Sequence, residues 1–169
     1  MSQLSFPSSD DALLVRDTHG NYLPASVEQI LAAARQAIEK KMERGAVLTS
    51  PPLVSEYLCN KLAGLEHEVF AVLFLDTQNR LIEYVEMFRG TIDMVSVHSR
   101  EVVKEALRLN AAKVILAHNH PSGCAKPSEM DKRLTQHLKG ALALVEVPTL
   151  DHIIVAGTET TSFAECGLI

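Results

Sequence analysis

A chain of 169 residues, 47% apolar and 22% charged, has the balance of an ordinary soluble globular protein and suffices for one domain with a sizeable core. Its net charge of -5 argues against a domain that grips nucleic acid through phosphates, although a local basic patch stays open. Three scattered cysteines, Cys59, Cys124 and Cys166, build neither a disulfide framework nor a paired-cysteine zinc ribbon, and no apolar run is long enough to span a bilayer. With no signal-peptide pattern at the N-terminus either, the expected compartment is a reducing cytoplasm.

Residues 1–26, rich in Ser, Asp and Pro, show no sustained period and read as a loosely ordered lead-in. Ile30, Leu31, Ala34 and Ile38 then recur at helical spacing, which predicts a helix over 27–43 stopped by Gly45. Residues 1–45 thus form an N-terminal extension, and 46–169 the main domain. Ser50-Pro51 starts a second helix, with a capping hydroxyl and a proline at the first helical position; Gly64 ends it. The β-prone run Val69 to Leu75, a polar turn, and the run Leu81 to Phe88 predict an antiparallel hairpin. A short strand is expected over Met94 to Val97, and a helix capped by Ser99 over Arg100 to Leu109.

Ala111 to Ala117 is apolar and reads as a buried strand that carries His118. Pro121, Gly123 and Pro127 force a loop, after which Ser128 opens a helix through Leu134 and Leu138. Ile153 to Ala156 forms a late strand, with Thr160 to Phe163 beside it. Helices alternate with strands around one hairpin, so the fold class is α/β, a mixed curved sheet flanked by helices.

The chemistry concentrates between His118 and Asp131. Side chains alternate along a strand, so His118 and His120 share a face. Two imidazoles and the Asp131 carboxylate make a three-ligand zinc site with a fourth position for water. A plainer account also fits: two histidines in ordinary hydrogen bonds, and Ser128-x-x-Asp131 as a helix-capping pattern with no chemistry. The two accounts are compatible, because a carboxylate in the first turn of a helix can point back at the strand end. His-Glu-x-x-His, the helix-borne metalloprotease pattern, is absent, as is the deaminase pattern ending in Pro-Cys-x-x-Cys. Cys124 is read as a small loop residue, and His98, His152, His67 and His137 as lying off the metal.

His118-x-His120, seven residues, Ser128, two residues, Asp131 resembles the JAMM signature of the JAB/MPN metallopeptidases. Within them the chain is similar to the bacterial RadC family, through Phe88-Arg89-Gly90-Thr91-Ile92-Asp93, Asn110-Ala111-Ala112, Ala117 to Gly123, Asp151-His152-Ile153-Ile154-Val155 and Ser162 to Leu168, in that order. The resemblance covers about Leu48 to Ile169. It departs at Ser99, where the family usually has proline. The longer N-terminal region with a helix-hairpin-helix-like segment is not expected here, so DNA association resting on that region is not implied.

The resemblance implies a JAB/MPN, cytidine-deaminase-like architecture with Zn2+ held by His118, His120 and Asp131. Ser128 would set a hydroxyl beside the metal-bound water. A glutamate just before the first core strand would be the general base. Glu68 fills that place, with Glu66 and Glu86 as rivals. Zinc lowers the pKa of bound water from 15.7 toward about 7. The implied activity is cleavage of a peptide or isopeptide amide bond in a protein or peptide substrate. The alternative the resemblance carries is a DNA-repair-associated or protein-binding module whose metal is structural.

Overall fold

The computed structural model describes residues 14–16, 21–41, 48, 50–90 and 96–169. The chain divides into two compact units, Met1–Lys40 and Lys41–Ile169. In the first, β1 (Leu14–Arg16) pairs antiparallel with β2 (Tyr22–Pro24), and α1 (Val27–Lys41) follows. The sequence of this lead-in reads as loosely ordered; among its described residues these two short strands are found. At three residues each they are too short for a period to show, and Leu14, Tyr22 and Leu23 are exposed. Met42 and Glu43, the expected end of the helix, lie outside the described residues.

The second unit runs α2 (Pro51–Leu62), β3 (Val69–Leu75), β4 (Leu81–Arg89), α3 (Ser99–Arg108), β5 (Lys113–Asn119), α4 (Glu129–Ala143), β6 (Thr149–Ala156) and β7 (Glu159–Ser162). Its five strands form one sheet in the order β4-β3-β5-β6-β7. The β5–β6 pairing is parallel, since α4 crosses over between them, and the others are antiparallel. The expected hairpin is β3–β4, and it contains two register shifts, between Phe70 and Ala71 and between Phe74 and Leu75.

Every residue of β3 is buried, which explains its unbroken apolar run. Phe70, Val72, Phe74, Val114 and Leu116 pack with Val102 and Ala106 of α3 and Leu138 and Leu142 of α4. On α2, Val54, Leu58 and Leu62 are buried, and this helix packs on β5, β6 and β7. Burying each such side chain contributes roughly 1.5–3 kcal/mol. The outcome is a sheet covered by helices, whose β5 tip and α4 start meet at one end.

Three local expectations are corrected. Ser50 occupies the N-cap of α2, but its hydroxyl makes no capping bond. Pro52 has no N–H to offer it, and Leu53 N–H bonds to the Ser50 carbonyl instead, at 3.1 Å. Ser99 is the first helical residue of α3, with His98 at the N-cap, and its hydroxyl lies 3.3 Å from His137 Nε2. Ser96 and Val97 are not in a strand, and Met94 and Val95, the rest of that expected element, lie outside the described residues.

Candidate metal centre

β5 ends in His118 and Asn119, and the chain turns at once. His120 N–H bonds to the Val155 carbonyl at 2.8 Å, and Gly123 adopts a left-handed φ of 78° that lets the loop double back. The loop returns at α4, whose N-cap is Ser128. Here a reciprocal capping box forms: Asp131 N–H donates to Ser128 Oγ at 3.1 Å, and Ser128 N–H donates to Asp131 Oδ2 at 2.7 Å. The box fixes the Asp131 carboxylate so that it faces the strand tip. Asp131 Oδ1 lies 3.3 Å from His118 Nε2, and Oδ2 lies 3.6 Å from His120 Nε2. The two Nε2 atoms are 2.9 Å apart.

His118, His120 and Asp131 therefore each present one donor atom, all within 4.8 Å of one another, an arrangement that could hold a metal ion. The donor set fits a divalent cation. His120 Nδ1 lies 2.7 Å from the Cys124 carbonyl, which can only accept. The ring proton of neutral His120 is thus on Nδ1, and Nε2 presents a lone pair to His118 Nε2 and the carboxylate. Such a focus calls for a positive charge. Burial opposes ionisation of Asp131, yet the charged forms of His118 and His120, which carry a second proton on Nε2, hydrogen-bond its carboxyl and hold it well below the usual carboxylate range. The bond to Asp131 raises the His120 pKa; burial opposes this, while the Cys124 carbonyl and the charge of Glu68 add to it.

Glu68 is buried, two residues before Phe70. Phe70 pairs with His118 across β3 and β5, so alternation puts Glu68, Phe70 and His118 on one face. Asn119, between the two histidines, clamps the backbone on both sides of Glu68. Its Oδ1 accepts from Val69 N–H at 2.7 Å, and its Nδ2 donates to the His67 carbonyl at 3.0 Å. Of the rivals, Glu66 is exposed, and Glu86 is an exposed residue paired with Arg89 at 3.0 Å.

Behind His118 lies His152, fully buried, with Nε2 2.8 Å from His118 Nδ1 and Nδ1 2.6 Å from Thr135 Oγ1. Phe163 packs on it with ring centroids 4.8 Å apart, and Phe70 meets it edge-on at 5.7 Å. Burial pushes the His152 pKa well below that of a free imidazole. β6 starts at Thr149, so His152 sits inside the strand and does not open it. Sequence reasoning gave no role to Asn119 or Thr135, and read His152 only as lying off the metal. One signal was available: Asp131, Thr135, Leu138 and Leu142 share the buried face of α4, so Thr135 follows Asp131 toward the sheet.

The family profile described as "RadC-like JAB domain" matches residues 48–168. The chain belongs to the RadC family of JAB domains. It is 55% identical over 139 residues to a UPF0758 protein of Vibrio cholerae, covering 82% of this chain and 87% of that one. It is 54% identical over 145 residues to a UPF0758 protein of Methylibium petroleiphilum, and 51% identical over 149 residues to one of Shewanella baltica. Each alignment covers 86% of this chain, but only 65% of the Methylibium protein and 66% of the Shewanella protein. No helix among the described residues is long and apolar enough to cross a membrane.

Proposed function

We propose that this RadC-family chain is a zinc-dependent hydrolase that cleaves an amide bond, peptide or isopeptide, in a protein or peptide substrate. The observation that carries the reading is the convergence of His118 Nε2, His120 Nε2 and the Asp131 carboxylate; buried Glu68, whose charge helps raise the His120 pKa, supports it. When bound there, a divalent ion supplies an acidified water and a positive charge for a carbonyl oxygen. Zinc takes imidazole and carboxylate donors of this kind, and His118, His120 and Asp131 would hold it with room left for a water.

The chain's own residues do the rest. Glu68 takes a proton from a water at this focus and delivers it to the departing amine, a role typically worth 10²–10⁴ in rate. Asn119 holds the turn that presents Glu68. Ser128 Oγ accepts from Asp131 N–H, which leaves its own hydrogen free to donate to the oxygen of the attacked carbonyl. Asp131 stays ionised because its partners lower its pKa.

A peptide and isopeptide library, screened with and without a chelator, tests the reading. Cleavage should occur, stop with chelator and return with zinc, and Glu68→Gln should keep the zinc but lose turnover. A zinc-loaded wild type that cuts nothing, or Glu68→Gln at wild-type rate, would contradict it.

A further inference from the structure

We propose that Thr135 and His152 are positioning residues that fix the tautomer of His118, so that its Nε2 lone pair is committed to the metal. This rests on the metal reading above and extends it two residues deeper, to groups that touch neither ion nor substrate.

The relay starts at a group that cannot donate. Thr135 Oγ1 lies 2.6 Å from the backbone carbonyl of Asp131, one helical turn back. A carbonyl only accepts, so the single hydroxyl proton of Thr135 lies in that contact. Thr135 Oγ1 can then only accept from His152 Nδ1, 2.6 Å away, and the His152 proton is on Nδ1. His152 is fully buried between Phe70 and Phe163, and among the described residues its side chain hydrogen-bonds to His118 and Thr135. As a neutral ring it has a bare Nε2, which accepts from His118 Nδ1 at 2.8 Å. His118 therefore carries its proton on Nδ1 and presents a lone pair at Nε2, facing His120 Nε2 and Asp131. Every donor in the chain is fixed by the carbonyl at its far end.

The arrangement also ties the ligands together. The carbonyl that starts the relay belongs to Asp131, itself one of the three candidate ligands, so one residue presents its carboxylate to the focus and orients an opposing imidazole through its backbone. His120 gains the same tautomer more simply, from the Cys124 carbonyl. Two imidazoles with opposite routes thus arrive with both Nε2 atoms bare. Asp151 keeps the relay in place: it accepts from His152 N–H at 2.7 Å, Ser162 Oγ at 2.6 Å and Ala164 N–H at 2.9 Å, closing the C-terminal residues over the buried ring.

Histidine-ring nitrogen NMR on the ion-free and zinc-loaded chain tests this, together with zinc affinity by chelator competition for wild type, Thr135→Val and Thr135→Ser. In the wild type without metal, His152 and His118 should both be protonated at Nδ1. Thr135→Val should bind zinc about 10–100-fold more weakly, the usual cost of losing a partner behind a metal ligand, and its His152 ring should no longer show a single tautomer. Thr135→Ser, which keeps the hydroxyl, should restore both. A proton on His152 Nε2 in the wild type, or valine and serine variants that lose affinity equally with unchanged ring signals, would overturn the relay. The wild-type spectrum decides even if Thr135→Val fails to fold. A wild type that takes up no zinc yet shows the stated tautomers would instead refute the metal reading alone.

Discussion

Helices α1 and α4 begin with the same reciprocal hydrogen bonding. In α1, Gln29 N–H donates to Ser26 Oγ at 3.3 Å and Ser26 N–H to Gln29 Oε1 at 2.9 Å, both on the surface. In α4 the pair is Ser128 and Asp131, half-buried, and the side chain three residues into the box is a carboxylate. The local stabilisation is the same kind in both: orphan N–H groups at a helix start find acceptors. What differs is the setting. The α4 box opens onto a strand tip with two imidazoles, so the bond that caps the helix also locks the rotamer of a candidate ligand. A capping motif thus becomes part of a site only through what the fold sets opposite it.

Several substitutions sharpen or break this contrast. Asp131→Ala should abolish zinc uptake, whereas Gln29→Ala should leave it untouched; metal analysis of the two purified variants compares them. Ser128→Ala should cost about 10²–10³ in turnover through loss of a hydroxyl donor, and about 1 kcal/mol in stability through loss of the cap. Asn119→Ala leaves the Val69 N–H and the His67 carbonyl without their partner, each worth roughly 1–3 kcal/mol, and should lower kcat with zinc content unchanged. Ser26→Ala should cost only the cap, about 0.5–2 kcal/mol at most, with no change in metal content or rate. If Ser26→Ala and Ser128→Ala behaved alike in every assay, the two helix starts would be equivalent.

Acidity separates the two boxes as well. A ligating imidazole must be deprotonated, and the bond to Asp131 raises the His120 pKa above the ordinary 6.5. Protons therefore compete for His120 from a higher pH than for a free imidazole. Zinc should be retained at alkaline pH and released as pH falls through this raised value, as followed by metal content after gel filtration at stepped pH. The reciprocal pair of the α1 box, Ser26 and Gln29, holds no ionisable side chain and no candidate ligand.

Much of this fold was legible because hydrophobic pattern and burial coincide. The unbroken run Val69 to Leu75 is a strand buried throughout, and His118 and His120 follow from the apolar run before them. The start of β6 was misread because Asp151 and His152 are polar yet buried, their demands met by Ser162, Ala164, Thr135 and His118; a period of apolar residues cannot register that. Ser50 and Ser99 were misread for a related reason. A serine before a helix signals a cap, but a prolyl nitrogen at Pro52 and a helix start at Ser99 itself remove its use there. The candidate ligands were readable from spacing, whereas the residues behind them depend on pairings between β5, β6 and α4 that sequence distance hides.

The most direct measurement is a zinc titration of metal-free protein, wild type against His120→Ala, read by chelator competition. The account predicts one zinc per wild-type chain and none held by the variant. Equal zinc binding by the two proteins, or none by the wild type, would contradict it.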